Sequence, residues 1–121
     1  MSLRNLGTAV VLATAAWSCG VYAAPGSAWV GGWGAATCGD LLAKVDQQPS
    51  YKVVFTEWLQ GFISGENVSR SAKGNSLVGA RTSGDTLQEL WLSTCRQPGN
   101  VPKHFADVAK GIYEALRSGG G

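Results

Sequence analysis

One histidine, His104, stands among the 121 residues, and that scarcity removes most hydrolytic chemistry. Any Ser-His or Cys-His mechanism would have to pass through it. The local pattern puts it in the first turn of a helix among charged neighbours, where a surface histidine needs no catalytic role. Zinc is short of ligands for the same reason. No CxxC, CxxCH or HExxH spacing occurs, and Gly31-Gly32-Trp33-Gly34 follows no strand and precedes no GK[ST], so it is not a phosphate loop. Charge is also sparse, at 15% of residues with ten bases against eight acids. A nucleic-acid binder would carry a basic face or run, and none is present. No apolar stretch after the N-terminus approaches the roughly 20 residues of a membrane span. The composition therefore predicts no catalytic residue, no cofactor and no metal, and leaves a protein partner as the expected ligand.

The N-terminus accounts for one of the three cysteines. Arg4 precedes an uncharged apolar core, Thr8 to Ala16, and Val21-Tyr22-Ala23 suits signal peptidase. Residues 1–23 thus read as a cleaved secretory signal, and the localisation expected is periplasmic. Cys19 leaves with it, and the odd cysteine count becomes a pair, Cys38 and Cys95, in an oxidising compartment. Residues 24–36 (APGSAWVGGWGAA) show no period of 2 or 3.6 and read as a flexible glycine-rich leader. Trp29 and Trp33 are unusual in such a leader. Either they fold back onto the domain or they offer an indole surface to a partner.

Four amphipathic helices follow within residues 37–118. Thr37 is a good N-cap with Asp40 three residues on, and Cys38, Leu41, Leu42 and Val45 recur at helical spacing until Pro49 stops the run. This predicts a first helix over 38–47. Ser50 is placed to cap the second, whose stripe is Phe55, Trp58, Leu59, Phe62 and Ile63. Its far side carries Val54, Glu57, Gly61, Ser64 and Gly65, a smooth face suited either to a neighbouring helix of the same domain or to another protein. Asp85 or Thr86 caps the third, with Leu87, Leu90, Trp91, Thr94 and Cys95 inward, and Thr86 with Glu89 makes a capping-box pattern. Asn100 is read as the cap of the fourth helix and Pro102 as part of its first turn. There Phe105, Val108, Ala109, Ile112 and Leu116 form the core stripe. Residues 119–121 are a frayed end. The fold class expected is all-α, a single small four-helix domain with one disulfide, Cys38 to Cys95, behind a signal peptide and a leader.

Between the second and third helices, residues 66–84 (ENVSRSAKGNSLVGARTSG) lose the helical pattern. A loop of that length inside a small domain is commonly either functional or a mobile, solvated segment. Glu66 falls just past the helix end on the core side of its stripe, where it either ends the helix or contacts Arg70 or Arg81. Leu77 and Val78 suit a turn docked on the core. The partner-binding residues expected are therefore Glu66, Asn67, Arg70, Lys73 and Arg81.

The order of parts has a likeness. A signal peptide, a cysteine opening a short helix (TCGDLL), an aromatic helix (WLQGFISGEN), a polar loop, a cysteine closing the third helix (LWLSTC) and a last amphipathic helix resemble small helical periplasmic proteins of the type VI amidase-immunity group. They resemble the related HdeA-type acid-stress chaperones too. The first resemblance implies binding and blocking of a peptidoglycan-cleaving toxin, with a homodimer as the usual state. The second implies acid-triggered loosening around a retained disulfide.

Overall fold

The structure, a computed structural model, describes residues 31–71 and 77–119. Among these it is all-helical: a 3-10 turn Gly32–Ala35, α1 (Cys38–Gln47), α2 (Tyr51–Ser71), α3 (Gly84–Arg96), a second 3-10 turn Pro98–Asn100, and α4 (Phe105–Ser118). The expected signal peptide, Trp29 and Lys73 lie outside the described residues.

Helix α1 begins where its cap dictates. The Thr37 hydroxyl accepts from Asp40 N–H at 3.1 Å, and the Asp40 carboxylate accepts from Thr37 N–H at 3.2 Å, a complete capping box. The remaining free donors of its first turn are met from far along the chain. Cys38 N–H donates to Lys103 O and Gly39 N–H to Val101 O, both at 2.9 Å. That use of residues 101–103 explains why α4 starts at Phe105 and not beside Asn100 and Pro102. The Val101 and Lys103 carbonyls are committed to α1, and the Phe105 N–H that would close a turn on Val101 goes to Ala36 O. Asn100 instead turns back, its side-chain N–H donating to Thr94 O at 2.9 Å and closing the end of α3. His104 holds the N-cap position of α4 without a side-chain cap bond. Thr37 and His104 form an isolated antiparallel bridge, the one extended pairing among the described residues.

Two other helix starts differ from expectation in detail. The first three N–H groups of α2 donate to the carbonyls of Gln48, Pro49 and Ser50, so backbone does the work expected of the Ser50 hydroxyl. Ser83, not Asp85 or Thr86, caps α3, accepting from Thr86 N–H at 3.2 Å.

The core joins all four helices around Trp91. Cys38, Leu41 and Val45 of α1, Phe55, Leu59 and Ile63 of α2, Leu87, Trp91, Leu92 and Cys95 of α3, and five residues of α4 from Phe105 to Tyr113 are buried. The Cys38–Cys95 disulfide sits inside it with both residues fully buried, tying the start of α1 to the end of α3. Thr56 is the single buried polar residue among those described. Its hydroxyl donates to Lys52 O at 2.7 Å and accepts the Trp91 indole N–H at 2.9 Å, so neither group is left unpaired.

The segment read as a flexible leader is described from Gly31 onward, and there it is packed. Trp33 lies half-buried, edge-on to Phe55 at 5.0 Å and to Tyr51 at 6.0 Å. Ala36 O accepts from Phe105 N–H, and Ala35 O lies 2.8 Å from His104 Nδ1. Of the two fates open to Trp33, the structure takes the fold-back.

Candidate binding surface

Helix α2 is two turns longer than its apolar stripe. It runs through Glu66, Asn67 and Arg70 to Ser71, so three of the five expected site residues are helical and only Arg81 belongs to the described part of the connecting loop. Glu66 does not end the helix and does not face the core; it is exposed. The inward place one turn beyond Ile63 goes to Asn67.

Asn67 is committed within the fold. Its side-chain N–H donates to Val78 O at 2.7 Å while its amide oxygen accepts Val78 N–H at 2.8 Å, so one side chain pairs with the loop backbone as a neighbouring strand would. The Tyr113 hydroxyl adds a longer contact to the same oxygen at 3.4 Å. This clip buries Val78 against the core and turns Leu77 outward, so only one of the pair predicted to dock does so. Gly79 completes the turn at φ +74, a left-handed conformation glycine adopts without penalty, and a Cβ there would meet Ile63 at 3.4 Å. Replacing Asn67 with alanine strips Val78 of both partners. The expected loss is about 1–3 kcal/mol, read as a lower denaturation midpoint together with fast amide exchange at Val78. N67D keeps an acceptor for the Val78 N–H yet sets a carboxylate against Val78 O, so it is expected to recover only part.

Arg70 pairs across to α4 and not with Glu66. Its guanidinium lies over the Tyr113 ring at 5.2 Å and 3.7 Å from the Glu114 carboxylate, which Arg117 also holds at 2.7 Å. Such partly exposed pairs contribute little, so the stacking on Tyr113 is the firmer restraint. Of the expected set, then, Glu66 and Arg81 remain exposed, Asn67 and Arg70 are engaged within the fold, and Lys73 is not described.

The smooth face of α2 continues further than the sequence pattern suggests. Val54, Gly61, Gly65 and Val68 fall on one side of the helix, and its extension to Ser71 adds Val68, which is 72% exposed. The spaces beside Gly61 and Gly65 are open, with no atom within 4 Å of where a Cβ would stand at either position, so no helix of the described fold packs there. The intradomain alternative for this face is therefore excluded among the described residues. Beside it, Leu77 is 57% exposed, and an open groove of about 390 Å³ runs between α2, residues 77–82 and the start of α3. A second groove of about 530 Å³ lies between α3 and α4 over Leu90, Val108 and Ile112, with Lys103 and Asp107 along it.

Chemical groups are dispersed around these surfaces. His104 is exposed at the N-terminus of α4 and turned to Ala35 O, and the two cysteines are bonded to each other. No group of three or more His, Cys, Asp or Glu able to hold a metal occurs among the described residues, and no described helix is long and apolar enough to cross a membrane.

These observations define the class: an all-α unit of four helices, closed by a buried disulfide, whose longest helix leaves one side open. Set against family models, curated proteins and solved structures, the chain matches none.

Proposed function

We propose that this chain is a secreted, periplasmic protein-binding module of the immunity type, which holds a cell-wall-cleaving toxin through the outer face of the C-terminal half of α2. The observation that carries this reading is that face itself. Four helices bury their apolar stripes against one another, while Gly61, Gly65 and Val68 stay open beside exposed Glu66, with Leu77 and Arg81 on the adjoining segment. A flat, small-residue strip bordered by apolar and charged groups gives a partner close backbone approach with a polar margin for register. The acid-chaperone reading has less behind it. Glu114 is the one carboxylate in ion pairs among the described residues, so acid has few attachments to release there.

The test is binding to the product of a neighbouring gene with peptidoglycan-cleaving activity. The full chain is expected to retain and inhibit that enzyme. The double variant E66R/V68D, with helical content unchanged, is expected to weaken binding by about 2 kcal/mol or more, roughly thirtyfold. Undiminished binding by that variant would move the contact elsewhere. An enzyme left fully active by saturating amounts of the parent chain would end the immunity reading.

A further inference from the structure

The 3-10 turn before α1 differs from every other packed element in how it is attached. Residues 31–34 make no hydrogen bond to any of the four helices among the described residues; the bonds that reach α4 and its cap start one residue later, at Ala35 and Ala36. The turn is held by packing: Gly34 is buried where the turn lies along α4, and the ring of Trp33 is set edge-on against Phe55 and Tyr51 of α2. Glycine stands on both sides of that ring, and Gly32 sits at φ +62 with its Cα side turned toward the Trp58 indole, 3.9 Å from where a Cβ would lie. Glycines lose the most backbone entropy on ordering, so this segment is costly to keep closed, and Trp33 is the one large side chain that anchors it. Beneath it the lining is aromatic throughout. Tyr51 stacks obliquely on Phe55 at 5.6 Å, and the half-buried Trp58 and Phe62 continue the same side of α2 at 5.8 Å from each other.

From this we infer that Trp33 is an internal ligand. The strap 31–34 is a displaceable plug, hinged at Gly34, over an aromatic seat on the N-terminal half of α2, and that seat accepts a tryptophan-bearing segment of a protein partner when the plug swings out. Tethering makes the cis indole a strong competitor, since a short flexible connection holds it near the seat at millimolar effective concentration. A free indole ligand therefore binds the parent chain weakly, and anything that opens the strap makes it bind more tightly. The seat is separate from the face around Val68, and the inference does not depend on the function proposed above.

The probe is N-acetyltryptophanamide at millimolar concentration, followed by NMR of the indole N–H groups in the full chain. In the parent protein the probe is expected to shift the Trp33 indole resonance toward its solvent-exposed position. The Trp91 indole, fixed by Thr56, stays in place and serves as the control. Two variants then open the strap by unrelated means. W33A removes the plug, and G32A leaves the ring intact but places a Cβ at a left-handed position. Both are expected to bind the probe several-fold more tightly than the parent. Equal or weaker binding by W33A, or a Trp33 resonance indifferent to the probe in the parent chain, overturns the proposal. The measurement on the parent decides it even where a variant does not fold.

Discussion

Replacing Cys38 and Cys95 together with alanine is expected to cost about 4 kcal/mol, close to the whole margin of a domain this small. The figure follows from sequence separation. The bond closes a loop across 57 positions, and opening it returns that loop's conformational freedom to the unfolded chain. Removal of both sulfurs also leaves space at the fully buried junction of α1 and α3. A loss of that size lowers the thermal midpoint by on the order of 20 °C for a domain of under 100 residues. Calorimetry of the double variant beside the oxidised parent measures it. Full burial also shields the bond in the native state, so a reductant added without denaturant is expected to act slowly, at the pace of unfolding. Rapid reduction of folded protein, or a midpoint that hardly moves in the double variant, would show that α1 is held chiefly by its capping box and its contacts to residues 101–103.

Where helix boundaries rest on local chemistry, they are legible in the sequence. The start of α1 at Thr37-x-x-Asp40 and its stop before Pro49 need no information from the rest of the chain, and spacing alone gives most of the inward stripes, though Thr56, Leu92 and Tyr113 are buried beside them. Boundaries that depend on distant partners are not. Glu66 to Ser71 has the polar composition of a loop, yet it is helical, with Asn67 bound to the Val78 backbone and Arg70 set against Tyr113 and Glu114. Asn100-Val101-Pro102 has the composition of a helix start, yet the Val101 carbonyl, with that of Lys103 just after it, is taken by the first turn of α1, more than 60 positions away. In both cases a polar backbone group has to be satisfied, and the satisfying group lies beyond the reach of any local window.

The same distinction governs the candidate surface. Residues that stand out for charge and for falling in a long polar stretch divide according to whether the fold already uses them: Asn67 and Arg70 have partners, Glu66 and Arg81 face solvent. Val68 is hidden from a sequence pattern that ends the helix before it. The stripe of Val54, Gly61 and Gly65 points to it as the next position on that face, and the missing step is the length of α2. Trp33 is undecided from sequence because an indole in a glycine-rich segment has no periodicity to fix its direction. Its partners Tyr51 and Phe55 lie on another element.

Trp91 is where the largest effect of a single substitution is expected. Its ring is fully buried between Phe55 and Phe105, edge-on to each at 5.8 and 5.7 Å, so W91A opens a cavity that three helices must close around. The cost expected is about 3–5 kcal/mol, enough to leave a large unfolded fraction near body temperature. The hydrogen bond to Thr56 can be separated from that packing term. T56V keeps the shape of the side chain but removes the acceptor, stranding the indole N–H in the core at a cost of about 1–3 kcal/mol. In a W91F background no N–H is left to strand, and the same T56V change is expected to cost much less, because the Lys52 carbonyl keeps its place in the helix ladder. A double-mutant cycle by urea denaturation gives the difference directly. Equal costs of T56V in the two backgrounds would mean that Trp91 is held by shape alone; a clear coupling assigns to Thr56 the orientation of the ring on which the four helices meet.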